Sequence, residues 1–128
     1  KLDDILIYEE PNPRHFYSLG ADPSEGIGQD DSAITVIDKM TGREVGSYVG
    51  QIQPDLFAKK IKQTAELFND ALAVIEINNH GLAVINALKA EYGNLYLKWP
   101  GFFRQPFGEV FLRFLMLPNF LQTRQAAY

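Results

Sequence analysis

Four acids in this chain stand where carboxylate oxygens could do chemistry together. Asp22 ends the apolar approach Tyr17-Ser18-Leu19-Gly20-Ala21, so a predicted strand delivers it at its tip. A Gly-containing turn with Pro23, Ser24, Glu25, Gly26 and Gly28 then presents Asp30 and Asp31 before the next apolar run, Ala33 to Ile37. Much later, Glu76 comes near the end of the almost unbroken apolar run Ala71 to Ile77. Oxygen-only donor sets suit Mg²⁺ or Mn²⁺, which keep several waters and bind through carboxylates plus the phosphates of a substrate. Two such ions about 4 Å apart can activate a water and stabilise the leaving oxygen of a phosphodiester. The chemistry these residues suggest is metal-dependent attack on phosphate, with Asp22 and Glu76 as metal ligands.

Each acid also has a plainer reading. Asp22-Pro23 can cap a turn, and Gly28-Gln29-Asp30-Asp31-Ser32 is a good β-turn sequence in its own right, with one of Asp30 and Asp31 as ligand or water-orienting group. Glu25 reads as a solvated turn residue. Glu76 is harder to dismiss, because a carboxylate between Val74, Ile75 and Ile77 is costly to bury without a partner. The loop Asn78-Asn79-His80-Gly81 can cap the helix that follows, with Asn79 at the N-cap. A helix N-terminus also favours phosphate, so Asn78, Asn79 and His80 are candidate DNA contacts as well.

Composition narrows the field. At 128 residues the chain suits one domain with one job. Zero cysteines exclude disulfides, thiolate zinc sites and cysteine nucleophiles, and two histidines leave little for a histidine-rich metal site. No apolar run reaches the roughly 20 residues of a membrane span, and no signal-peptide pattern opens the chain, so a cytoplasmic protein with no membrane partner is expected. A net charge of −4 argues against a general nucleic-acid coat. The charge is uneven, however: eleven acids and four bases up to Ala58, then five acids and eight bases, which is compatible with local DNA contact.

The elements that must hold these acids follow from periodicity and punctuation. Ile5-Leu6-Ile7-Tyr8 is strand-like, but Glu9-Glu10, Pro11 and Pro13 follow, and it reads as a leader segment outside the central sheet. Strands are predicted over His15 to Ala21, Ala33 to Asp38 and Glu44 to Tyr48, with a turn at Met40-Thr41-Gly42-Arg43, which makes an antiparallel meander. Pro54 opens a helix with Leu56, Phe57, Ile61, Ala65 and Phe68 on its apolar side and Lys59, Lys60 and Lys62 mainly opposite, ending near Asn69-Asp70. Ala71 to Ile77 reads as a buried parallel strand. Leu82, Val84, Ile85 and Leu88 mark a second helix ending near Tyr92-Gly93, and Asn94 to Leu97 a fifth strand. The order β-β-β-α-β-α-β is that of the ribonuclease-H-like α/β fold, a mixed five-stranded sheet in which acids on the first and fourth strands meet at one metal site. Lys98 to Tyr128 is different: Pro100, Pro106 and Pro118 interrupt it, and Phe107 to Leu117 reads as a helix apolar on nearly every side, to be buried against something or paired with a second copy.

Three stretches together resemble a known family. Leu19-Gly20-Ala21-Asp22-Pro23-Ser24-Glu25-Gly26, then Gly28-Gln29-Asp30-Asp31-Ser32-Ala33, then Val74-Ile75-Glu76-Ile77-Asn78-Asn79-His80-Gly81, in this order and spacing, look like the C-terminal nuclease domain of the large subunit of tailed-phage terminases. The resemblance covers about Tyr8 to Tyr96. It implies a Mg²⁺- or Mn²⁺-dependent endonuclease that cuts concatemeric double-stranded DNA during packaging, encoded by a phage or prophage, working in the host cytoplasm with other terminase or portal subunits. It implies Asp22 and Glu76 as metal-binding catalytic residues and favours Asp30 over Asp31 as the third. Asn78-Asn79-His80-Gly81 favours this family over a resolvase or transposase. One departure stands out: the family has a further metal-binding aspartate near its C-terminus, and this chain has no Asp after Asp70. The composition beyond Leu97 suggests a truncated or frame-shifted tail, and with it a non-catalytic DNA- or partner-binding fragment as the alternative. No Gly-x-x-x-x-Gly-Lys-Ser/Thr motif is present, so nothing argues for a motor.

Overall fold

The computed structural model describes residues 4–23, 31–76 and 81–98, with backbone alone at Glu76 and Lys98. Within them lies a mixed six-stranded sheet of order β1-β4-β3-β2-β5-β6 and two helices. The strands are β1 (Leu6–Ile7), β2 (Tyr17–Asp22), β3 (Ser32–Asp38), β4 (Glu44–Gly50), β5 (Leu72–Glu76) and β6 (Leu95–Lys98); the helices are α1 (Pro54–Leu67) and α2 (Gly81–Lys89). The expected order of three antiparallel strands followed by helix, strand, helix and strand is present, and the fold class is the one anticipated.

The meander is built by its turn. Asp38 turns the chain back by accepting the Met40 N–H at Oδ1 (2.8 Å) and the Gly42 N–H at its carbonyl (2.8 Å). Gly42 has a φ of 78°, the left-handed region where a Cβ would be strained. β3 then pairs antiparallel with β4 on one side and β2 on the other, with Tyr17 opposite Asp38 and Asp22 opposite Ala33.

Ile5 to Tyr8 corrects the sequence reading. Leu6 and Ile7 pair with Ser47 and Gly46 at the edge of the sheet, so this segment is a sixth strand and not an external leader. The Tyr8 N–H donates to the Val45 carbonyl (2.8 Å), and the Tyr8 hydroxyl lies 2.6 Å from Ser47 Oγ. Two residues of pairing are too short to produce a periodic signal. Their partner lies about forty residues away, so no local pattern announces it.

α1 begins at Pro54 with Gln53 as an extended N-cap, and the Phe57 N–H closes the first turn on the Gln53 carbonyl (2.8 Å). Pro at the first helical position loses a donor that would be orphaned there in any case. Phe57, Ile61 and Ala65, at four-residue spacing, face the sheet and are buried, as is the Phe68 ring just past the end of the helix, while Ala58 is buried toward α2. Leu56, expected on that apolar side, is 49% exposed, because it stands one residue, about 100° of helix, away from Phe57. Leu82 is similarly exposed on α2, whose buried side is Val84, Ile85 and Leu88. α2 also stops at Lys89, short of the expected Tyr92-Gly93. A turn follows in which the Tyr92 N–H bonds the Leu88 carbonyl (2.8 Å), and the buried Tyr92 hydroxyl donates to the Ala71 carbonyl (2.5 Å).

The main core lies between the sheet and the helices. Leu19 and Ala21 of β2, Ile34 and Val36 of β3, Ala73 and Ile75 of β5 and Leu97 of β6 belong to one cluster with the inward side chains of α1 and α2. Alternation sends the residues between them to the other face. On that face Ser18, Leu72 and Val74 are fully shielded from water too, so the middle strands are buried on both sides. This explains why β5 reads as a continuous apolar run.

Candidate metal centre

β2 and β5 are adjacent and parallel, with Ser18, Leu19, Gly20 and Ala21 beside Leu72, Ala73, Val74 and Ile75. One further step along both strands brings Asp22 beside Glu76. Neighbouring strands lie about 4.8 Å apart, so the two acidic positions are next to each other at the C-terminal ends of central strands. Crevices outside such strand ends are where open α/β sheets bind ligands. Because Ala21 and Ile75 belong to the helix-side core, Asp22 and Glu76 stand on the opposite face. Asp22 is half-buried there.

The reason for this placement is local. Tyr17 to Ala21 is wholly buried, and the pairing of Asp22 with Ala33 is the last before the chain leaves β2. Burial on both faces excludes charge from the middle of each strand, so the first acid of each run falls where the sheet ends. Asp31 is exposed just before β3. Asp30, Glu25 and the loop with Asn78, Asn79 and His80 lie outside the described residues, as do the missing-aspartate segment and the apolar Phe107–Leu117 stretch. Among the described residues no group of three or more His, Cys, Asp or Glu side chains converges. The donor set in view is a pair of carboxylate positions, which fits a hard divalent cation that completes its shell with water and substrate oxygens.

Sequence reasoning overlooked two features. First, β5 also pairs with β6, and Glu76 stands beside Lys98. The residue pattern Leu95-Tyr96-Leu97-Lys98 hinted at this, as a lysine at the tip of a strand, but the neighbour could be identified only from the register. Second, His15 is not a strand residue; its Nδ1 lies 2.6 Å from Asp38 Oδ2, and Asp38 is 2% exposed. Burial alone would push the Asp38 carboxyl up. Hydrogen bonds from His15 and from the backbone N–H groups of Met40 and Thr41 outweigh it and hold the carboxyl below its usual range. Asn69, with a left-handed φ of 60°, donates from Nδ2 to the carbonyls of Asn12 and His15 (2.8 and 3.0 Å) and ties the same corner to the end of α1. Tyr17 faces Asp38 at one end of β2 and Asp22 is at the other, about 17 Å away, so this pair belongs to the fold and not to the carboxylate site.

A cleft between α1 and α2, lined by Asp55, Lys59, Lys62 and Glu91 among others, contains an ion pair, with Lys62 Nζ 3.2 Å from Glu91 Oε1. It lies at the C-terminal half of α2, away from the strand ends. No helix among the described residues is long and apolar enough to cross a membrane.

An antiparallel β4-β3-β2 meander joined through α1 and α2 to parallel β5 and β6, with acids at the tips of β2 and β5, is the ribonuclease-H-like arrangement. Solved structures narrow it. The large terminase nuclease from thermophilic phage G20c with bound magnesium superposes with a TM-score of 0.62 at 22% identity, over 98% of this chain and 64% of that one. The same nuclease with bound zinc gives 0.64 at 22% identity, over 98% and 70%. The Thermus phage P74-26 large terminase nuclease domain gives 0.65 at 20% identity, over 98% and 61%. This chain therefore has the fold of large-terminase nucleases, and it spans less than two thirds of the magnesium-bound G20c and P74-26 chains. No protein-family model matches it, and no curated protein does.

Proposed function

We propose that this chain is a terminase large-subunit nuclease domain, cutting concatemeric double-stranded DNA endonucleolytically during viral packaging with Mg²⁺ or Mn²⁺ held by Asp22, Glu76 and Asp30. The reading is supported by the register of β2 against β5, whose last pair is Ala21 with Ile75; continued by one residue along each strand, that register would set Asp22 beside Glu76. A nuclease of the same fold has been solved with magnesium, zinc and cobalt bound.

In this reading Asp22, Glu76 and Asp30 would hold the metal against a phosphate of the DNA backbone, and Asn78, Asn79 and His80, which precede α2 in the sequence, would contact the same backbone. The ion, when bound, supplies Lewis-acid stabilisation of the charge that develops on the phosphate oxygens. Burial of β2 and β5 on both faces keeps the two strand tips rigid, which two-carboxylate coordination needs. The working context is the host cytoplasm, in a complex with other packaging subunits.

Nicking of supercoiled plasmid in Mn²⁺ tests the proposal. Cleavage by the wild type that falls to background in both Asp22→Asn and Glu76→Gln, with both variants folded, is the expected result. Cleavage that survives both substitutions would refute it. A folded wild type that binds DNA without cutting it at any protein concentration would favour the non-catalytic alternative, in keeping with the lack of any Asp after Asp70.

A further inference from the structure

The row of strand tips does not end with the two acids. β2, β5 and β6 run parallel side by side, and Glu76 pairs directly with Lys98. Paired residues of neighbouring strands share a face, so Asp22, Glu76 and Lys98 occupy one row on one face, each about 4.8 Å from the next. Core membership checks the face independently: Ala21, Ile75 and Leu97, each one residue earlier, all belong to the helix-side cluster. Lys98 is the charged residue of β6, after Leu95, Tyr96 and Leu97, and it stands where that strand reaches the edge of the carboxylate site.

We propose that Lys98 is the phosphate-binding cation of this site, engaging a backbone phosphate of the DNA beside the one held at the Asp22–Glu76 pair; the inference rests on the nuclease reading above. Carboxylates repel a polyanion, and one divalent ion only neutralises a pair of them, so the metal-bound pair by itself brings no net positive charge to a neighbouring phosphate. A lysine at the end of the same row supplies a compact, strongly hydrated charge with three rotatable donors, which suits a phosphate approached from varying angles. The opposing possibility is that Lys98 only balances the charge of Glu76 and positions it. The two roles predict different measurements.

The test is DNA binding by the 128-residue chain in Ca²⁺, read by fluorescence anisotropy of a labelled duplex across a salt series, beside Mn²⁺ binding read from the paramagnetic signal of the free ion. Lys98→Ala should weaken DNA binding about tenfold, as loss of one charge-assisted contact does. It should lower the slope of log K against log salt by about 0.9. Lys98→Arg should restore both, and Mn²⁺ affinity should hold or rise. Lys98→Gln, which keeps most of the stem, replaces the alanine variant if that one melts early. Affinity and slope unchanged in a folded Lys98→Ala would overturn this inference and leave the nuclease reading standing. Loss of Mn²⁺ affinity in step with DNA affinity would also overturn it, because Lys98 would then act through Glu76. A wild type without salt-sensitive DNA binding would overturn both.

Discussion

Removing the His15 side chain should unfasten the corner where β2 begins, and the cost can be worked from the contacts. Asp38 is 2% exposed, and its Oδ2 accepts from His15 Nδ1 at 2.6 Å while its Oδ1 accepts the Met40 N–H at 2.8 Å. In His15→Ala the second bond remains and the first is lost, leaving one oxygen of a buried carboxylate without that donor. A hydrogen bond to a charged group contributes about 1.5–3 kcal/mol. For a domain of this size each kcal/mol moves the melting temperature by roughly 3–5 °C, so a fall of about 5–15 °C is expected at pH 7. The acid limb carries the sign. The folded Asp38 carboxyl titrates below its unfolded value of 3.8, so its contribution is fully present above that value and is lost as the pH falls through the folded one. His15→Ala removes a lowering contribution while burial continues to raise the carboxyl, so acid unfolding should begin at higher pH in the variant. Circular dichroism melts between pH 2.5 and 7, in a cycle with Asp38→Asn, give the coupling directly. A variant that melts within 1 °C of the wild type, with coupling near zero, would refute the reasoning. Nicking below the melting range should be unchanged in His15→Ala, since Asp22 lies at the other end of β2.

Two further substitutions test the packing that holds the site. Ile61→Ala, at a fully buried position on the sheet side of α1, should cost about 2–5 kcal/mol, while Leu82→Ser, 48% exposed on α2, should stay within about 0.5 kcal/mol; urea melts with comparable losses for both would contradict the assigned faces. Gly46→Ala would place a Cβ 3.3 Å from Phe68 Cζ and 3.4 Å from the Leu6 carbonyl, costing about 1–3 kcal/mol through overpacking beside β1. Hydrogen exchange should then show the Tyr8 amide, bonded to the Val45 carbonyl, losing protection first.

Local pattern was sufficient wherever one segment carried its own signal. Pro54 and the spacing of Phe57, Ile61 and Ala65 marked α1, the apolar run before Glu76 marked a doubly covered strand, and Asp22 and Glu76 showed as acids at strand ends because a strand buried on both faces tolerates charge only at its tip. Pairing between distant segments was not legible in this way. Leu6–Ile7 carries too few residues to distinguish an edge strand from a leader, and Leu56 and Leu82 are as apolar as their buried neighbours yet face outward. The partners of His15 and Glu76 are twenty or more residues away, at Asp38 and Lys98. The sequence by itself determined the order of elements and which acids end their strands, because periodicity and punctuation act over a few residues. Only the tertiary structure decided that Asp22, Glu76 and Lys98 share one row, because register is set by how whole strands bury their faces against each other.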